Sequence, residues 1–177
     1  MIRPARPADV DTILSLIKEL AAFEREPDAV QATPDDLRAA LFCDRPAVSC
    51  LIAEHDTGDG VEIAGFALWF LNFSTWVGKH GVYLEDLYVR PRYRRNGYGK
   101  ALLLQLVRIA LERGYGRVEW SVLDWNAGAQ GFYRAIGAVP MDEWTVWRLA
   151  GDQLAAAAAR VAADSAGNVG NTGRAAS

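Results

Sequence analysis

The chain has 177 residues, 51% hydrophobic and 23% charged, with 19 Lys and Arg against 22 Asp and Glu for a net charge of −3. That composition excludes a disordered or collagen-like chain, and it provides no global positive field for nucleic acid. No apolar run approaches the ~20 residues that cross a bilayer, and Met1 to Asp11 lacks the apolar core of a signal peptide, so a soluble, cytoplasmic protein with no membrane partner is expected.

A short strand is predicted over Ile2–Ala5, then a helix from Pro7 to Glu24 with Val10, Ile13, Ile17 and Leu20 on its apolar face. The acidic loop Phe23 to Asp28 ends that helix. Thr33 then caps a second one that starts at Pro34 and stops near Phe42. Val48–Glu54, Glu62–Leu71 and Val82–Val89 are rich in apolar and aromatic β-formers and read as strands, joined by turns at Asp56–Gly60 and Ser74–Lys79. A helix follows from about Gly97 to Arg113, with Leu103, Leu106, Val107, Ala110 and Leu111 on its buried side. Arg117–Leu123 is another predicted strand. Asn126 caps a helix that Gly137 stops, and a last strand is predicted around Val146–Leu149. Residues 1–150 thus read as one α/β domain, a mixed sheet flanked by helices. Residues 151–177 read as an Ala-rich extension, helical over Asp152–Asp164 and flexible from Ser165 on.

The chemistry concentrates between Tyr83 and Ala101, where a strand runs into an Arg- and Gly-rich loop that opens a helix. Glycines let backbone N–H groups approach a ligand, and a helix start favours phosphate. Arg90, Arg92, Arg94 and Arg95 add a local positive charge suited to a polyanionic small molecule. A Walker loop fails, because Arg94 stands where its first Gly belongs and Ala101 follows Lys100. A dinucleotide fingerprint fails too, with Leu102 at the third Gly. Two cysteines, Cys43 and Cys50, and two histidines, His55 and His80, stand in unrelated contexts, so neither a disulfide framework nor a metal site is expected.

Arg94-Arg95-Asn96-Gly97-Tyr98-Gly99 resembles the Q/R-x-x-G-x-G/A acyl-CoA pyrophosphate loop of the GNAT N-acetyltransferases. Ile2–Ala5, Leu16–Ala21, Gly65–Ala67, Tyr83–Asp86, Val122–Asn126 and Phe132-Tyr133 resemble, in the same order, the diamine (spermidine/spermine) acetyltransferase branch. The resemblance implies a GNAT fold with a splayed acyl-CoA-binding strand pair, acetyl-CoA as co-substrate, a small-molecule amine as acceptor and a homodimer. It implies that Leu87, Tyr88 and Val89 pair their backbone with the pantetheine arm. By the same resemblance Arg94, Arg95, Asn96, Gly97, Tyr98, Gly99 and Lys100 hold the pyrophosphate, and Asn126 reaches the cofactor. Tyr133, by the cofactor sulfur, acts as general acid, and Glu85 accepts the amine's proton. By itself Tyr133 reads as a packing aromatic.

The reaction asks for such groups independently. An alkyl ammonium with a pKa near 10 must lose a proton before it attacks a thioester, and a carboxylate can take that proton directly or through ordered water. Burial raises a carboxylate's pKa toward a useful range. Glu85 and Asp86 are adjacent, so strand alternation points them to opposite faces, one toward a pocket and the other free to pair with an arginine. Phe23 and Glu24 match acceptor-channel positions of the branch, with Glu26 and Asp28 adding charge to the same loop. Polyamine-selective relatives carry Asp-Pro-Trp between the middle strands, whereas this chain has Ser74-Thr75-Trp76, as in the thialysine N-ε-acetyltransferase subgroup. The expected acceptor is therefore thialysine or a lysine-like amine, with Trp76 lining its site. Polyamine acetylation is the alternative, followed by protein acetylation or a non-catalytic acyl-CoA-binding module.

Overall fold

The computed structural model describes residues 1–169. Five strands form one sheet in sequential order. β1 (Ile2–Pro4), β2 (Ser49–Asp56), β3 (Val61–Ser74) and β4 (Lys79–Val89) are antiparallel neighbours, and β5 (Val118–Trp120) lies parallel to β4. A parallel step cannot be closed by a hairpin. Helix α3 (Tyr98–Glu112) makes that crossover. With α1 (Val10–Phe23) and α2 (Pro34–Phe42), these elements form a compact unit ending at Trp125. A second unit begins at Asn126 and carries α4 (Ala127–Ala135) and α5 (Gly151–Val169).

Period-two alternation sorts the strand side chains onto two faces. On one face Cys50 and Ile52 of β2, Phe66 and Leu68 of β3 and Tyr88 of β4 pack with Val10, Ile13, Leu14 and Leu16 of α1 and with Leu37 and Leu41 of α2. The alternate residues, among them Leu51, Ala53, Ala67, Trp69, Val82 and Leu84, are buried on the side of α3, whose Leu102, Leu103, Leu106 and Ala110 are buried in turn. Leu111, expected on that buried side, is 74% exposed. It lies one residue, about 100°, past Ala110 and so falls off the apolar stripe.

Local chemistry fixes the helix starts. The Thr33 hydroxyl accepts from Asp36 N at 3.2 Å and Thr33 N donates to Asp36 Oδ2 at 2.8 Å, a reciprocal cap on α2. Before α1, a single 3₁₀ turn over Pro7–Asp9 brings the buried Asp9 to Arg3, whose Nη1 and Nη2 donate to its two carboxylate oxygens at 2.7 and 3.0 Å. The Arg3 guanidinium holds Asp9 below the usual carboxylate range and also donates to Glu54, tying β1 to α1 and β2.

The strand predicted over Val146–Leu149 does not form. Val146 and Trp147 are 80% and 90% exposed, and no ladder partner meets this segment among the described residues. β-forming side chains make a strand only where an edge receives their backbone groups. β5 is likewise shorter than the predicted Arg117–Leu123. α5 continues to Val169, so residues 165–169 are helical where flexible chain was expected, and residues 170–177 of that expectation lie outside the described residues.

Gly65 of β3 pairs with Val89, and a Cβ on it would press into the Tyr88 carbonyl and lie 3.0 Å from Val89 Cα. Both are backbone atoms inside a ladder and cannot swing aside. Gly65→Ala is therefore expected to lower stability by about 1–3 kcal/mol, read as a lower urea midpoint at unchanged slope. A wild-type midpoint would show that β3 and β4 are not so closely apposed.

Candidate functional site

The site begins with a miscount between two strands. Leu68 pairs with Asp86 and the next β3 residue, Trp69, pairs with Leu84, which leaves Glu85 without a partner as a β-bulge. On the other edge of β4, β5 pairs only with Val82, Tyr83 and Leu84. From Asp86 to Val89 the strand is therefore held by β3 alone, and among the described residues no strand lies along its far edge. Such an edge presents unpaired N–H and C=O groups to an extended ligand. Leu87, Tyr88 and Val89 lie in this stretch, opposite Ala67, Phe66 and Gly65.

The bulge interrupts the alternation on which the expectation of opposite faces for Glu85 and Asp86 rests: Leu84 and Asp86, two residues apart, pair with the successive residues Trp69 and Leu68 and so fall on opposite faces, with Glu85 the inserted residue between them. Asp86 shares a face with its partner Leu68, and through it with Cys50, on the side of α1 and α2. No ion pair reaches Asp86 among the described residues, so the arginine partner considered for it is not found. Burial pushes its carboxyl up to about 6, reinforced by the nearby charges of Glu85 and Glu24. Glu85 itself is exposed. Glu24 follows the last residue of α1, where Arg25 at φ 69° reverses the chain, and partial burial raises its pKa as well.

Aromatic side chains gather at the same helix end. Phe23 packs on Trp125 at 5.8 Å between ring centroids, Arg25 covers Trp125 at 4.6 Å, and Arg94 lies 4.9 Å above Phe23 and 5.7 Å from Tyr88. Phe23, Glu24, Glu85, Asp86, Tyr88 and Arg94 thus converge. Trp76 does not join them. It stands 88% exposed at the turn between β3 and β4, about 20 Å along the strand from Glu85. Glu26 and Asp28 are exposed.

Beyond Val89 the basic loop is less free than its composition implied. Arg90 donates to Glu19 at 2.9 Å and to the Ile63 carbonyl at 3.1 Å, and Arg92 pairs with Glu62. Arg94 donates through Nε to the Val89 carbonyl at 3.1 Å, and Asn96 Nδ2 to the Tyr93 carbonyl at 3.3 Å. Among the described residues Arg95 and Lys100 make no ion pair. Arg95 at φ 66° and Gly97 at φ 80° turn the backbone into the first turn of α3, whose leading N–H groups have no partner inside the helix. A Cβ on Gly99 would meet nothing nearer than Val89 Cγ2 at 3.9 Å, so there is room beside that backbone.

In the second unit Asn126 caps α4, its Oδ1 accepting from Ala129 N at 3.2 Å. Tyr133 is half-buried on that helix, 5.2 Å from the Phe132 ring, and its carbonyl accepts from Ile136 and Ala138 N. Gly137 ends the helix at φ 90°.

Asp86 is the residue that sequence reasoning undervalued. Its available signal was a second acid inside an otherwise apolar strand, between Leu84 and Leu87. His55, which the sequence leaves in no metal-ligand or catalytic pattern, shares a 2.8 Å hydrogen bond with the Tyr98 hydroxyl, a contact that no sequence spacing announces.

Comparison with known proteins agrees with this architecture. Residues 14–138 match the Acetyltransferase (GNAT) family. Thialysine N-epsilon-acetyltransferase of Bos taurus is 37% identical, covering 87% of this chain and 94% of that protein. L-ornithine N5-acetyltransferase of Arabidopsis thaliana is 36% identical, covering 88% and 86%. Among solved structures, an integron cassette protein from the mobile metagenome of V. cholerae aligns with a TM-score of 0.72 at 26% identity, covering 89% of this chain and 96% of that one. A family match across most of the sheet-bearing unit and relatives this similar over nearly their whole length establish that the chain belongs to the GNAT family of acetyltransferases.

Proposed function

We propose that the protein moves an acetyl group from acetyl-CoA to the terminal amine of a small amino acid of the thialysine or lysine type. The observation that carries this reading is the bulge at Glu85, which opens one edge of β4 beside the carboxylates of Glu24, Glu85 and Asp86.

The residues fit the co-substrate of the family. The free edge at Leu87, Tyr88 and Val89 suits the amide-bearing pantetheine arm. The loop from Arg94 to Lys100, with left-handed Arg95 and Gly97 and space at Gly99, suits a pyrophosphate. Asn126 is assigned to the same ligand. Acetyl-CoA, when bound, supplies the activated acetyl thioester. Glu24 and Asp86 attract the acceptor's ammonium, and Phe23 lines its site, whereas Trp76 stands too far along β4 to do so. Glu85 takes the ammonium proton, directly or through ordered water. With that thioester bound, the freed nitrogen would attack its carbonyl carbon, forming the C–N bond as the C–S bond breaks; the Tyr133 hydroxyl would protonate the departing sulfur, and the proton that the nitrogen sheds on becoming an amide would restore the Tyr133 hydroxyl. In this reading a backbone N–H at the bulge stabilises the oxyanion. Transfer is direct in this reading: burial pushes the Cys50 thiol pKa up, which disfavours a thiolate nucleophile there, and Cys43, at the end of α2, belongs to none of the motifs that carry the resemblance.

Two features support an amino-acid acceptor. The relatives of Bos taurus and Arabidopsis thaliana are named for thialysine and L-ornithine, amino acids with a side-chain amine. Ser74-Thr75-Trp76 also lacks the acid that would hold a distal ammonium. The polyamine alternative draws on the convergence of three carboxylates at Asp86. We further propose that the protein works as a cytoplasmic homodimer, with residues 1–150 as its catalytic domain.

Thiol release from acetyl-CoA should be strong with thialysine and weak with spermine, and the reverse order would transfer the assignment to polyamines. Tyr133→Phe should lower kcat by roughly 100-fold or more while leaving CoA affinity intact, and normal turnover would remove it as the acid. Asp86 tests the electrostatics. Its folded pKa lies above its ordinary value of 3.8, at about 6, so between these the native state holds a proton that the unfolded chain has released. Stability therefore falls as pH rises through that window and stays lower above it. Asp86→Asn should raise Tm relative to wild type more at about pH 8 than at about pH 4, and an equal difference at both would show that the burial of Asp86 does not act on its charge.

A further inference from the structure

We propose that His55 is a positioning residue, a clasp that holds both ends of the basic loop in the shape that receives the cofactor's pyrophosphate. The inference rests on the reading that residues Arg94 to Lys100 are that receiving loop. His55 lies on β2, paired with Glu62 of β3, and so stands on a two-stranded ladder rather than on the loop itself. The non-helical part of the loop, Arg94 to Gly97, is bracketed by Tyr93 and by Tyr98, the first residue of α3. Both tyrosines meet this one imidazole. The Tyr93 ring lies 4.7 Å from it, tilted by 39°, and the Tyr98 hydroxyl shares a 2.8 Å hydrogen bond with Nδ1, with the rings edge-on at 87°. The Tyr93 hydroxyl also donates to Glu62, the cross-strand partner of His55, and Arg92 pairs with the same carboxylate.

The loop requires such a hold. Between the two tyrosines the backbone passes through the left-handed region at Arg95, a non-glycine residue, and again at Gly97. Conformations of that kind persist only where the surroundings impose them. With both ends fixed, the loop's N–H groups are ordered before the ligand arrives, and binding does not bear the entropy of ordering them. An imidazole suits the task because one side chain offers a flat face to Tyr93 and an in-plane nitrogen to Tyr98. Phe would keep the face and lose the nitrogen. Asn would keep a polar atom near the Nδ1 position and lose the face.

The test uses the purified full chain, with CoA as calorimetric probe and steady-state kinetics beside it. His55→Phe should weaken CoA binding about 3- to 10-fold, the range of one hydrogen bond, and raise KM for acetyl-CoA by the same factor. The kcat and the KM for the amine should stay in place. His55→Asn should recover most of the lost affinity, and adding Tyr98→Phe to His55→Phe should weaken binding no further, since one shared bond is already gone. Gly99→Asp separates the two levels of the argument: it sets a carboxylate against the anion site at a position where a Cβ has room. Loss of CoA binding in Gly99→Asp with wild-type affinity in His55→Phe overturns the clasp alone. Wild-type affinity in Gly99→Asp overturns the loop reading and the clasp with it. If His55→Phe does not fold, Tyr98→Phe decides, with the same loss expected and wild-type CoA affinity overturning the clasp.

Discussion

Between the partners of Leu68 and Trp69, β4 carries one residue that β3 cannot pair, and that residue is Glu85. A bulge bends its strand and increases the local twist. β5 follows β4 only as far as Leu84, the last paired residue before the bulge. Everything proposed for the site uses the divergence that begins there: an open edge at Leu87–Val89, a carboxylate outside the ladder, and a loop delivered to the start of α3.

That strand also separates charge along its length. Acids gather at Glu85 and Asp86 beside Glu24, and the basic loop starts immediately after Val89. The two ends lie roughly 15 Å apart by strand rise. A net charge of −3 conceals this division, in which one end suits a cation and the other a polyanion. The arrangement bears on stability too. Asp86 lies where burial and two neighbouring carboxylates disfavour its charge, and no arginine relieves it among the described residues.

Several arginines that look like ligand groups in the sequence turn out to hold the scaffold. Arg90 ties the end of β4 to Glu19 of α1, and Arg92 ties the following turn to Glu62 of β3. Partly exposed pairs of this kind add little free energy; their value is in geometry. Arg94 does something similar by stacking over Phe23 and Tyr88, which joins the end of α1 to the loop.

The linear order of residues was enough for the elements and the family. Thr33 followed by Pro34 and Asp36 specified a helix start, the β-rich runs from Val48 to Val89 specified three strands joined by turns, and Arg94–Gly99 specified a glycine-bearing turn into a helix, because capping, alternation and glycine freedom act within a few residues. Val146–Leu149 shows the limit of the same logic, since composition cannot supply the neighbouring edge that a strand needs. Local reasoning also placed Glu85 and Asp86 on opposite faces, and only the register against β3 replaced that alternation with a bulge. The elevated pKa of Asp86, the pairing of Arg90 and Arg92, and the meeting of Tyr93, Tyr98 and His55 all depend on residues tens of positions apart in the chain. Burial and charge are properties of the space around a group, so the sequence determined which chemical groups were available and the tertiary structure decided which of them face one another.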